Sequence, residues 1–214
     1  MPIVTQTAER RDAARNRQIL LDAAKQILDE QGIDALTMDT LACQAGVGKG
    51  TVFRRFGSRA GLLLALLGQS DTQFQTAFMF GPPPLGPGAP AAERLVAFGW
   101  ARLRLLSTDR GLHRAAEADP SDAYYGGPSY RLLRQHVAIL VQEIGIPSDT
   151  MLIADMLLAP LDAKLVTYQE QALGYDIDQI GAQWEILARM LISGSSRETS
   201  DSGRQHHRHG QRHG

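Results

Sequence analysis

Acidic side chains are absent from residues 40–70, although the 214-residue chain holds 23 of them against 22 lysines and arginines. Four cations, Lys49, Arg54, Arg55 and Arg59, fall into this gap just behind the turn Ala45-Gly46-Val47-Gly48. One sign of charge concentrated on a short segment suits a polyanion with phosphates at fixed spacing, so nucleic acid is the first partner to consider. A solvated basic face is the plain alternative.

Cysteine is nearly absent too. Cys43 stands alone, which excludes an internal disulfide and fits a reducing compartment. Its neighbours, Thr40-Leu41-Ala42 and Gln44-Ala45, read as a short helix with the thiol on the buried side, where free cysteine behaves as a small core residue. No run approaches the roughly 20 apolar residues of a membrane span. Nor does the start, Met1-Pro2-Ile3-Val4-Thr5-Gln6-Thr7, show a charged segment followed by an apolar one, so no signal peptide is expected and the cytoplasm is the predicted location. His113 and His136 stand far apart, and neither HExxH nor a glycine-rich phosphate loop occurs. The chain is therefore predicted to be no enzyme and to hold no metal or cofactor.

What is present is helical periodicity. With 43% hydrophobic residues the chain can bury a real core, and its apolar positions recur at three and four rather than two. An all-α fold is predicted. Residues 1–60 carry a net +2 and the remainder −3, which suggests a basic head (1–60), a helical body (61–193) and a polar tail (194–214). The tail has no large apolar residue to bury, so disorder is expected there. His206, His207, His209 and His213 within it are read as a solvated end without function.

In the head, a first helix over 12–30 presents Ile19, Leu20, Ala23, Ala24, Ile27 and Leu28 and ends at Gly32. Thr37 is a good N-cap for a helix over 38–45, which Gly46 stops. A third over 49–56 puts Val52 and Phe56 inward, and Ser58 caps a fourth over 59–80 that buries Leu62, Leu63, Leu66 and Leu67. Five prolines and three glycines make residues 81–90 a loop. Helices follow near 91–107, 110–118, 128–144, 148–173 and 177–192, with Pro160 kinking the fourth of these or splitting it after Leu158.

Two short helices joined by a tight glycine-containing turn, the second presenting cations, offer a helix to the major groove. At Leu36-Thr37-Met38-Asp39, through Ala45-Gly46-Val47-Gly48-Lys49-Gly50-Thr51-Val52-Phe53-Arg54-Arg55-Phe56 and Ser58-Arg59, the chain resembles the TetR family of bacterial repressors. The resemblance covers about residues 15–65. It implies a three-helix DNA-binding domain ahead of a larger effector-binding and dimerisation domain. It also implies a homodimer on a palindromic double-stranded operator, released by a small, largely apolar effector. By position, Lys49, Gly50, Thr51, Phe53 and Arg54 match the groove-facing helix, while Thr37, Arg55 and Arg59 match residues that touch the DNA backbone or order its approach. Phe53 replaces a frequent tyrosine, which leaves only apolar contact there.

In the body, Phe98, Trp100, Leu103, His113, Tyr124, Tyr125, His136 and Leu140 mix bulk with scattered polarity and are candidates for an effector pocket, the alternative being ordinary core. The resemblance implies pairing through the last two long helices. Leu157, Leu161, Leu165, Tyr168, Trp184, Leu187 and Leu191 are the candidates there. Two recognition helices reading one palindrome also require a two-fold axis. The competing function is a helical small-molecule carrier that ignores DNA.

Overall fold

The structure, a computed structural model, describes the backbone of residues 3–112 and 127–206 and the side chains of residues 11–112 and 127–194. Among the described residues every regular element is helical: α1 (Ile3–Gln31), a 3-10 turn (Ile33–Ala35), α2 (Met38–Gln44), α3 (Lys49–Phe56), α4 (Arg59–Phe80), α5 (Ala91–Thr108), α6 (Pro128–Ile144), α7 (Thr150–Leu158), a second 3-10 turn (Ala159–Leu161), α8 (Ala163–Gln171) and α9 (Ile177–His206). Of the expected helix over 110–118, residues 110–112 are helical and the others lie outside the described residues.

The chain divides into two compact units, Met1–Ser70 with Gly111–Pro120 and Asp71–Arg110 with Ser121–Gly214. The division falls inside α4 rather than at residue 60, because the leucines of the first half of that helix belong to the head. There Leu62, Leu63 and Leu66 join Leu20, Leu21, Ala24, Ile27, Leu41, Val52 and Phe56 in one buried cluster, which Leu112 completes. Two details of the α1 stripe differ from expectation. Ile19 is half exposed and Leu21 is buried, so the apolar face is rotated by about one residue. The helix also begins at Ile3, nine residues before the expected start at residue 12.

Local chemistry accounts for the ends of the helices. Thr37 Oγ1 accepts from Thr40 N–H at 3.1 Å while Thr40 Oγ1 accepts from Thr37 N–H at 2.9 Å. This reciprocal cap opens α2. Asp149 Oδ1 accepts from the amides of Met151 and Leu152, and Asp162 Oδ1 from those of Lys164 and Leu165. Pro160 sits in the 3-10 turn between α7 and α8, where its missing donor is tolerated.

The second unit is organised around α5, which packs against α6, α8 and α9. Where α5 meets α9, two glycines make room for two indoles. A Cβ on Gly99 would stand 2.0 Å from the Trp184 ring, and one on Gly181 would stand 2.3 Å from that of Trp100. Trp184 Nε1 donates to Leu157 O at 3.0 Å, and Trp100 Nε1 to Glu185 Oε2 at 2.7 Å. That bond, with a further one from Arg189, holds the Glu185 carboxyl below its usual range. Helix α9 continues to His206, twelve residues past the expected start of a disordered tail. Residues 207–214 lie outside the described residues.

Candidate nucleic-acid interface

Helices α2 and α3 pack on one another across a four-residue turn. Gly46 adopts φ +65°, a conformation that side chains disfavour, and Val47 N–H donates back to Ala42 O at 3.0 Å. Val47 and Ala45 are half-buried against the head core, and Leu41, Val52 and Phe56 are buried in it. With Val52 and Phe56 anchored inward, the helical repeat turns Lys49, Gly50, Thr51, Phe53, Arg54 and Arg55 outward. All six are exposed, Phe53 at 43%.

The cations differ in their present engagements. Lys49 Nζ lies 2.6 Å from Asp39 Oδ1, with both side chains largely in solvent, so the ion pair is weak and a phosphate can take its place. Arg54 lies along its own helix, donating from Nε to Gly50 O at 3.2 Å and from Nη2 toward Thr51 Oγ1 at 3.4 Å. Arg55 is exposed and has no hydrogen-bond or ion-pair partner among the described residues. Arg59 is engaged inside the head. Its Nε donates to Leu36 O at 2.8 Å and its Nη2 to Ile33 O at 2.6 Å. The guanidinium thereby ties the start of α4 to the segment that leads into α2. The Thr37 hydroxyl is likewise engaged in the α2 cap. Gly50 has nothing within 4 Å of where a Cβ would stand, so its bare backbone faces open space. Arg17, which the sequence reading passed over, places its guanidinium 5.9 Å from the centre of the Phe56 ring, a cation–π contact. Cys43 is exposed rather than buried, because Leu41 and Ala42 take the inward positions of α2.

The body candidates sort less cleanly. Phe98, Leu103 and Leu140 are fully buried and are core rather than cavity wall. His136 stacks on Phe78 with ring centres 4.2 Å apart and is flanked by Phe98. Burial, then the nearby Arg94 charge, lowers its pKa to about 4, so the ring is neutral at pH 7. Its Nε2 is buried without a hydrogen-bond partner. Trp100 is half-buried and committed to Glu185. His113, Tyr124 and Tyr125 lie outside the described residues. The sequence reading missed two described hollows: a cleft of about 610 Å³ bordered by Pro160, Tyr175, Trp184 and Leu187, and a small cavity beside Arg102.

Of the pairing candidates, Leu157, Leu161 and Trp184 are corrected to core, being only 2–3% exposed. Leu191 is half-buried against the same core. Leu165, Tyr168 and Leu187 are exposed, as are Leu152, Met156, Tyr175, Ile186 and Met190. Periodicity alone marks two apolar sides on α7 to α9 without saying which one faces inward.

Comparison with known proteins agrees with this geometry. Residues 20–66 match the family model described as bacterial regulatory proteins, tetR family. The HTH-type transcriptional regulators SAB2452, from Staphylococcus aureus (strain bovine RF122 / ET3-1), and SAUSA300_2515, from strain USA300, are both 32% identical over 69 residues. Those residues are 32% of this chain and 37% of each relative, so the match spans little more than a third of the relatives' length. Among solved structures, a TetR-family transcriptional regulator (ECA1819) from Pectobacterium atrosepticum superposes with a TM-score of 0.66 at 21% identity, covering 87% of this chain and 96% of the other. A transcriptional regulator (RHA1_ro04179) from Rhodococcus sp. Rha1 gives 0.59 at 19% identity over 84% and 97%. NalD, the secondary repressor of the MexAB-OprM multidrug efflux pump in Pseudomonas aeruginosa, gives 0.51 at 16% identity over 84% and 96%. These likenesses show the fold: a helix-turn-helix head followed by a larger helical body.

Proposed function

We propose that the head, whose residues 20–66 match the tetR-family model, binds DNA, and that the protein is a ligand-responsive transcriptional regulator acting as a homodimer on a palindromic operator in the cytoplasm. The observation that carries the reading is the outward face of α3. Lys49, Gly50, Thr51, Phe53, Arg54 and Arg55 are all exposed on a helix whose other side is locked by Val52 and Phe56. Lys49 and Arg55 suit phosphates, Arg54 suits either a guanine edge or a phosphate, and Gly50 lets backbone approach the duplex. Thr37 and Arg59 order this surface through the α2 cap and the tie to α4. Repression is the sense of regulation that the resemblance implies. The exposed apolar residues Leu165, Tyr168, Leu187 and Met190 on α8 and α9 supply a surface for pairing, and the body is the place for a small effector.

A carrier that ignores DNA is the competing function, and charge reversal separates the two. In fluorescence anisotropy at low salt, Arg54→Glu is expected to weaken duplex binding at least tenfold with the thermal midpoint unchanged. If wild-type protein and variant bind duplex equally, the regulator reading fails.

A further inference from the structure

Helix α1 starts at Ile3, yet the first of its described side chains to be buried is Leu20. Among residues 11–19 only Ala13 is even half-buried. A helix draws most of its stability from a packed apolar face, and this stretch has none to offer, since residues 5–18 hold no apolar residue larger than alanine. They hold Arg10, Arg11, Arg15 and Arg17 against Glu9 and Asp12. Among the described residues Arg11, Arg15 and Arg17 enter no ion pair. A partner for this stretch is therefore a polyanion rather than an apolar surface. Position selects two of the four cations. Ala24 is fully buried, and counting back from it by two turns reaches Arg17 and then Arg10, so both positions continue the inward side of α1. Arg11 and Arg15 fall on the far side. The Arg17 guanidinium lies 5.9 Å from the centre of the Phe56 ring, and Phe56 closes α3 directly after Arg55. The inward side of this stretch thus continues from the cationic end of the recognition helix. It also precedes residues 20–66, which carry the family match.

We propose that the start of α1 is a second contact surface for duplex DNA, in which Arg17 and Arg10 each hold a phosphate flanking the segment that α3 enters. The inference rests on the reading of the head as DNA-binding and adds contacts that the α2–α3 turn does not supply. Arg10 and Arg17 stand about 10 Å apart along the helix. Phosphates of one strand follow every 3.4 Å or so along the duplex axis, so the two cations reach separate phosphates. A guanidinium suits each of them, because its fork can donate two parallel hydrogen bonds. Phosphate contacts carry no base sequence. The surface therefore adds affinity and fixes orientation on any duplex that α3 occupies.

The test uses the full chain and a fluorescent duplex of mixed sequence, with anisotropy read across a salt series. The slope of log affinity against log salt counts the phosphates neutralised. Arg10→Ala combined with Arg17→Ala is expected to lower that slope by about two and to weaken binding roughly tenfold at about 0.1 M salt. Arg11→Ala combined with Arg15→Ala, on the far side, is expected to leave the slope unchanged. Should the thermal midpoint of the first pair fall with the lost ring contact at Phe56, Arg10→Ala alone decides, with a slope lower by about one. An unchanged slope in these variants overturns the proposal. Equal losses from the two pairs overturn it as well, since bulk charge would then account for both. Arg54→Glu is measured beside them: if it weakens binding while Arg10 and Arg17 do not matter, the α1 surface falls and the regulator reading stands. A wild-type chain that binds no duplex removes both.

Discussion

Four cations stand close together in the sequence, yet each is engaged differently. Lys49 is in a solvent-exposed pair, Arg54 lies along its own helix, Arg55 points into solvent, and Arg59 is spent on two backbone carbonyls. Counting charge reveals the cluster, whereas only geometry separates the residues that reach outward from the one that fastens the domain. Arg55→Ala is accordingly expected to weaken binding to all duplexes alike and to lower the slope of log affinity against log salt by about one. An unchanged slope measured by anisotropy would remove Arg55 from the interface. His136 was legible in the sequence as a histidine among apolar residues, but not its neutrality, which follows from its place between Phe78 and Phe98. Its folded pKa lies below the unfolded value of about 6.5, so the unfolded chain binds the extra proton and stability falls as pH drops from 6.5 toward 4. Between pH 7 and 5 the loss is roughly 2 kcal/mol. Urea midpoints at the two pH values measure it, and His136→Phe should flatten the dependence. Equal slopes for wild type and variant would refute this assignment.

Helix boundaries were the most readable elements, because they are written in local chemistry. The α2 cap at Thr37, the limits of α3, α4 and α6, and the break after Leu158 were all foreseeable from threonine, glycine and proline placement. The faces of α7, α8 and α9 were not. Leu157, Leu161 and Trp184 share their spacing with Leu165, Tyr168 and Leu187, and burial separates the two sets only once the partner helices are known. The crossing of α5 and α9 was equally hidden, since Gly99 and Gly181 are small only because an indole from the opposite helix lies on each. The clash is with a rigid ring, so Gly99→Ala is expected to destabilise the body by about 1–3 kcal/mol. Gly181→Ala should do the same. Denaturant titration of either variant checks this, and a wild-type midpoint would show that the helices shift apart at no cost.

Across the whole molecule, the fold divides its tasks between a head that presents α3 and a body that carries a cavity and an exposed apolar strip. The strip is expected to pair two copies. Leu187→Asp combined with Met190→Asp places two charges where apolar contact is needed and should convert dimer to monomer in light scattering, with circular dichroism unchanged. A wild-type protein that is monomeric at tens of micromolar would contradict the pairing. The central claim, that two copies of α3 read one duplex, is tested most directly by selecting bound DNA from a random-sequence pool with purified protein. A palindrome with half-sites about one helical turn apart, or a multiple of it, is the predicted outcome. A selected pool without any symmetric sequence, or with no enrichment over the input, would contradict it.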